Sequence, residues 1–182
     1  MKNSLHMLVA SIATLLASFG GADVATAQQP PVPGAEHKML EQMVGTWDAE
    51  MTIAGVDKPS KCVAKYTSTC GGMWIASDFE GELAGQKFQG RGLDGYDFAK
   101  KKYVGVWVDS MISAPMFFEG DYNAQTKTMI QTATAPGMDG QPAKWRSVTK
   151  LDSNDKHTFE MFVTPKGGDE AKMFTITYTR RK

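Results

Sequence analysis

From residue 46 onward the chain breaks into short runs in which apolar and polar residues alternate with a period of two. The first is the cleanest: Trp47, Ala49, Met51 and Ile53 alternate with Thr46, Asp48, Glu50 and Thr52. Successive side chains of a strand point to opposite faces, so this run is a strand with one face buried and one in water. Similar runs lie near 61–69, 73–82, 87–96, 102–110, 114–122, 127–134, 143–151, 157–164 and 171–181. Turn residues separate them, among them Gly71-Gly72, Ala84-Gly85 and Gly167-Gly168. Every connector is short, so neighbours in sequence should pair as hairpins. The expected fold is all-β: an up-and-down antiparallel barrel of about ten strands, in which closure removes the exposed edges. A β-sandwich is the competing architecture. Eight strands already hold one small ligand, so a barrel of about ten should enclose a cavity.

Before the strands, residues 36–44 carry Met39, Leu40, Met43 and Val44 on one stripe, which predicts a short helix ended by Gly45. Further upstream, Lys2, an apolar run over 5–16 and the small-residue site Ala25-Thr26-Ala27 form the three parts of a secretory signal. The run is too short to span a bilayer core of about 30 Å as a helix. The expected organisation is a signal peptide over 1–27, a Pro-rich leader over 28–35 and one barrel domain over 36–182, with no integral membrane segment after cleavage. The destination is periplasmic or secreted.

The formal net charge is zero. Nucleic-acid partners want a basic face, so none is expected. The one basic cluster, Lys100-Lys101-Lys102, falls at a hairpin tip. Oligomeric state is not legible.

Gly45-Thr46-Trp47, placed after a short helix at the start of the first strand, resembles the G-x-W signature of the calycins, the superfamily of lipocalins and fatty-acid-binding proteins. In that superfamily the Trp lies at the closed end of the barrel under a basic residue of the last strand. Parity puts Phe174, Ile176, Tyr178 and Arg180 on one face, so Arg180 is the residue able to stack on Trp47, a contact worth about 0.5–2 kcal/mol. Pro33-x-x-Glu36-His37-Lys38-x-Leu40, Gly95-Tyr96-Asp97, Trp107-Val108-Asp109-Ser110, Glu119-Gly120 and Tyr178-Thr179-Arg180 recur in that order in a bacterial family of secreted domains of unknown function, which this chain also resembles. The resemblance implies a calycin-like barrel closed by Gly45, Trp47 and Arg180, and no established activity.

The chemistry-bearing motifs are sparse. Gly90-x-Gly92-x-x-Gly95 matches the dinucleotide fingerprint but lies inside a strand with no helix behind it, so curvature or bulges explain it better. No metal site is expected, because only His37 and His157 follow the leader and neither sits in a ligand spacing. No nucleophile motif occurs, so no catalytic residue is assigned. One calycin relative binds haem through a late His; the last strand here has none, and no cofactor is expected. The Met residues after the leader, among them Met116 and Met161, are soft copper ligands in principle, but Met more often fills irregular gaps.

The richest stretch is 103–122. Trp107, Asp109, Met116, Phe118 and Glu119 fit the apolar, aromatic lining with a few polar groups that small-molecule pockets use. Both faces of these strands carry large apolar residues, so which one points inward stays open. An inward Asp109 would need Arg91 or Arg146 beside it. The leading functional reading is an exported protein that binds a small apolar or amphipathic ligand. A non-catalytic structural or interaction module is the alternative, and an enzyme using Asp109, Glu119 and an Arg as acid–base groups is the second.

Cys62 and Cys70 bracket one strand. Eight extended residues span about 26 Å, whereas a disulfide needs Cα atoms within about 7 Å. Only a bend at Thr67-Ser68-Thr69 would allow the bond. Thiol labelling of purified, unreduced protein should therefore count two free thiols.

Overall fold

The alternation closes into a barrel. A computed structural model describes residues 30–182 apart from Ala84. The expected signal peptide over 1–27, the first two residues of the leader and the first half of the Ala84-Gly85 turn lie outside the described residues. A short helix, α1 (Ala35–Glu41), precedes ten strands: β1 (Gly45–Ile53), β2 (Ser60–Thr69), β3 (Trp74–Leu83), β4 (Gln86–Asp97), β5 (Lys102–Asp109), β6 (Met116–Asn123), β7 (Thr128–Pro136), β8 (Pro142–Ser153), β9 (Lys156–Thr164) and β10 (Ala171–Arg180). Each strand pairs antiparallel with its sequence neighbours, and β10 returns to β1. Every strand therefore has both edges satisfied, which a sandwich would not achieve.

The period-two pattern sets the two faces. Trp47, Ala49 and Met51 are buried on β1 while Asp48 and Glu50 are exposed, and β7 alternates the same way from Met129 to Ala135. The core has three parts, one of them built from Trp47, Ala49, Met51, Cys62, Ala64, Phe79, Phe88, Ile176 and Tyr178. At the end where β1 begins, Met39 and Leu40 of α1 pack on Ile75, Tyr103, Met129 and Leu151 and plug the barrel. Toward the other end, Met116, Ala133, Ala135, Ala143, Trp145, Met161 and Val163 form an apolar cluster.

The helix is shorter than residues 36–44, and the plugged end shows why. Beyond Glu41 the backbone leaves the helix and presents its carbonyls to side chains. Trp47 Nε1 donates to Met43 O at 2.8 Å, while Arg180 donates to Gln42 O at 2.7 Å and to Val44 O at 2.6 Å. A third Arg180 nitrogen donates to Asn154 O at 2.8 Å. The same guanidinium lies 4.1 Å above the Trp47 ring, which is almost fully buried. Gly45 must be Gly: its φ is +137°, and a Cβ there would fall 2.5 Å from an Arg180 nitrogen.

Cys62 points into the barrel and Cys70 lies in the turn after β2; both are free thiols. Lys100 and Lys102 reach out along the wall to Glu119 and Asp121.

Replacing Arg180 by Met should cost about 1–3 kcal/mol, since the part-buried Val44 carbonyl loses its donor and the Trp47 ring loses its stacked cation. Arg180→Lys should recover less than half, because one ammonium cannot reach three carbonyls while covering the ring. Urea midpoints of the three proteins measure both.

Candidate functional site

Strand register decides what points inward. Tyr103, Gly105, Trp107 and Asp109 on β5 stand opposite Tyr96, Asp94, Gly92 and Gly90 on β4. On the other side, Trp107, Gly105 and Tyr103 stand opposite Met116, Phe118 and Gly120 on β6. All of these share the inner face with buried Tyr103 and Met116.

Of the five residues expected to line a cavity, Trp107, Asp109, Met116 and Phe118 lie on this inner face. Glu119 does not: it stands on the outer face, paired with Lys100 at 2.6 Å. Its parity is opposite to Phe118, so no rotamer can bring it inside. Asp109 is inward but fully engaged at the rim. It accepts from Trp107 Nε1 at 2.9 Å and from the backbone of Met111 and Ile112 at 2.8 and 3.0 Å. It fixes the indole and the β5–β6 loop. Neither expected arginine partners it: Arg91 pairs with Asp78 and Arg146 with Glu170, both away from Asp109. An acid–base set of Asp109, Glu119 and an arginine therefore has no common space.

The glycines of the dinucleotide-like motif serve space. A Cβ on Gly90 would strike the Trp107 ring, so Gly90 and Gly92 let the indole lie against the wall. Gly95 does the same on the outer side for Trp74. Gly105 leaves room for the Asp94 carboxylate, with which any Cβ would collide. The point where a Gly92 Cβ would sit lies 2.5 Å from Ser77 Oγ, 3.3 Å from Trp107 Cε3 and 3.7 Å from Asp94 Oδ2. A hydroxyl, an indole and a carboxylate thus meet at one place on the inner wall.

More polar groups occupy the same middle zone, above the α1 plug. Tyr66 pairs with Ser77, Gln131 with Gly120 and Ser147, and Tyr178 with His157. Ser77, Gln131, Ser147 and His157 are buried. Gln131 Nε2 and both His157 nitrogens have no hydrogen-bond partner. Tyr66, Asp94, Trp107, Phe118, Thr149, Phe159 and Phe174 also stand on the inner face and are only half-buried.

Electrostatically this zone holds two groups driven from their ordinary values. Burial pushes the Asp94 carboxyl up to about 7, with no neighbouring cation to oppose it. Burial lowers His157 to about 3, and the charge of Arg180 adds to that. The neutral imidazole stacks on Tyr178 at 4.2 Å and meets the Trp47 ring edge-on at 4.4 Å. Burial also raises the Tyr66 and Tyr178 phenols. Asp94, Tyr66, Ser77 and Gln131 are not singled out from sequence, where His157 is weighed only as a metal ligand and Tyr178 only as an inward residue of the last strand. Their signal is parity: each falls on the same face of its strand as a buried apolar residue.

A family model described as a protein of unknown function, DUF1579, matches residues 32–180. The chain belongs to this family. Among solved structures, the crystal structure of Rv2717c from M. tuberculosis superimposes with a TM-score of 0.60 at 9% identity, over 82% of this chain and 99% of that one. That likeness shows a shared fold, here the closed ten-stranded barrel. A redesigned β-barrel, b11L5F_LGL, and a de novo designed fluorescence-activating β-barrel align at 16% and 15% identity with TM-scores of 0.43 and 0.44. Each covers 78% of this chain, and the aligned parts are 94% and 95% of theirs. No curated protein matches.

In this DUF1579 barrel the two shifted groups oppose each other in pH dependence. His157 is neutral when folded but protonated when unfolded below its ordinary pKa near 6.5, so its term favours folding at high pH and is lost as pH falls from about 6.5 toward about 3. Asp94 is protonated when folded but ionised when unfolded above about 4, so its term is present at low pH and lost as pH rises through about 7. Between about pH 4.5 and 6 the slopes cancel, each being about 1.4 kcal/mol per pH unit. Relative to wild type, Asp94→Asn should gain stability steadily as pH rises over that window, and His157→Phe should lose it. Urea midpoints at half-unit pH steps give the two difference curves.

Proposed function

We propose that this protein holds a small amphipathic molecule inside its barrel and performs that role after export to the periplasm or beyond. The observation that carries the reading is the half-buried inner face. Aromatic and aliphatic side chains line one part, and a polar zone with unsatisfied donors and a carboxyl lines the other. Binding pockets combine apolar walls with a small number of polar groups that fix orientation in this way. An apolar body would lie against Trp107, Phe118, Phe159 and Phe174, with its polar end toward Asp94, Tyr66 and Gln131. The reading of residues 1–27 as a secretory signal supports the location.

Native mass spectrometry of the protein, expressed with its leader and recovered from the cell envelope, tests this directly. A mass above that of the cleaved chain, lost on denaturation, is the expected result. In addition, the apolar dye N-phenyl-1-naphthylamine should bind at micromolar concentration, with energy transfer from Trp107. Thr149 faces the interior opposite Phe159, so Thr149→Trp should weaken dye binding about tenfold or more while the urea midpoint shows the barrel still folded. Dye binding equal to wild type in that folded variant would place the dye outside the barrel and end the reading.

A further inference from the structure

We propose that the interior site selects an organic cation: a small amine with an aromatic or apolar body, its ammonium paired with the Asp94 carboxylate and its body against Trp107 and Phe118. This rests on the interior-binding reading and adds the sign of the ligand's charge.

The inner face has a marked charge asymmetry. Among the described residues, every lysine on the strands faces outward; Lys172, even-numbered like the inner residues of β10, is turned out to Glu160 by a bulge between Lys172 and Phe174. Arg180 is the one cation on the inner face, and its guanidinium is held at the plugged end by three carbonyls and Asp155. Tyr66 on β2, Tyr96 on its own strand, Tyr103 on β5, Tyr122 on β6 and Tyr178 on β10 share the inner face with Asp94, and Glu36 and His37 lie on α1 at the plugged end. His157 on β9 is uncharged at neutral pH, and the Cys62 thiol on β2 is pushed up by burial. Asp94 forms no ion pair with any of them. An entering anion would meet a carboxylate with no compensating positive charge. An entering ammonium would supply the missing partner and allow the carboxylate to ionise.

The surroundings suit an ammonium in a second way. The carboxylate, the Ser77 hydroxyl and the Trp107 ring meet above Gly92, where the hydroxyl and the indole take the room a Cβ would need, and Tyr66 stands opposite Ser77. Ring faces attract cations, and the attraction grows when water is excluded. Acceptors for the ammonium protons are thus side by side with an aromatic wall for the carbon skeleton. The raised Asp94 pKa adds a signature. Below about pH 7 an ammonium must displace a proton from Asp94, so amine affinity should fall toward tenfold per pH unit.

The test uses three probes with one skeleton: 2-phenylethylamine, 2-phenylethanol and 3-phenylpropanoate. Each is titrated into the wild-type protein by calorimetry and by Trp fluorescence at pH 8 and pH 5.5, alongside N-phenyl-1-naphthylamine. The amine should bind at least tenfold more tightly than the alcohol and the acid at pH 8, and should lose at least tenfold by pH 5.5. Asp94→Asn should erase the preference for the amine, while Glu119→Gln, on the outer face, should change neither that preference nor dye binding; the wild-type comparison decides the charge even if Asp94→Asn folds poorly. If the alcohol or acid binds as well as the amine, the cation inference falls and interior binding stands. If the dye binds and none of the three does, the inference falls in the same way. If neither dye nor probes bind, both readings fall together.

Discussion

The Arg180 guanidinium ties the end of the chain to its beginning. In one planar group it covers the Trp47 ring and donates to carbonyls at Gln42, Val44 and Asn154. Those carbonyls are free because α1 stops at Glu41, and the guanidinium fits because Gly45 lacks a Cβ. A meander of hairpins is held by local pairings everywhere except where β10 meets β1. That junction has the greatest sequence separation and hence a large closure cost. The clamp sits at that seam, fixes the register Trp47 to Arg180, and seats the helix that plugs the barrel. The inner space exists only because this seam is shut.

With the wall closed, the interior can carry features a packed core would not tolerate. A carboxyl lies in low dielectric without a cation, an imidazole without a hydrogen-bond partner, and a glutamine with an unsatisfied amide. Each costs free energy relative to an apolar residue of similar size. Ten strands with no free edge provide the backbone hydrogen bonding that sustains them. Such uncompensated groups gathered beside aromatic surface are a combination common in binding sites. The opposite displacements of Asp94 and His157 also leave their joint effect on stability small in mildly acidic conditions.

Much of the fold was legible because period two is a local property. Thr46 to Ile53 shows a buried and an exposed face without any knowledge of its partners, and the turn glycines mark where each strand ends. The G-x-W triplet and the parity of Arg180 brought the two seam residues together across the whole domain. The site was less legible. On β5 and β6 both faces are apolar: Val104, Val106 and Val108 lie outside, and Phe117 is 68% exposed. Glu119 was therefore grouped with residues on the opposite face. Nothing in the spacing marks Asp94, which stands between Leu93 and Gly95 in a glycine-rich strand.

The sequence by itself determined the strand order, the two-faced character of most strands, the short helix, and the Gly45, Trp47 and Arg180 seam, since all of these follow from spacing along the chain. Tertiary structure alone decided which face of β5 and β6 is the inside, that Asp109 is spent on the rim while Asp94 is left without an ion-pair partner, and that several inner-wall aromatics stay half-buried. The physical reason is that inside and outside in a closed barrel are set by register across strands. The energy of a charge is likewise set by what surrounds it in space, and for Asp94 those surroundings come from strands spread along nearly the whole domain.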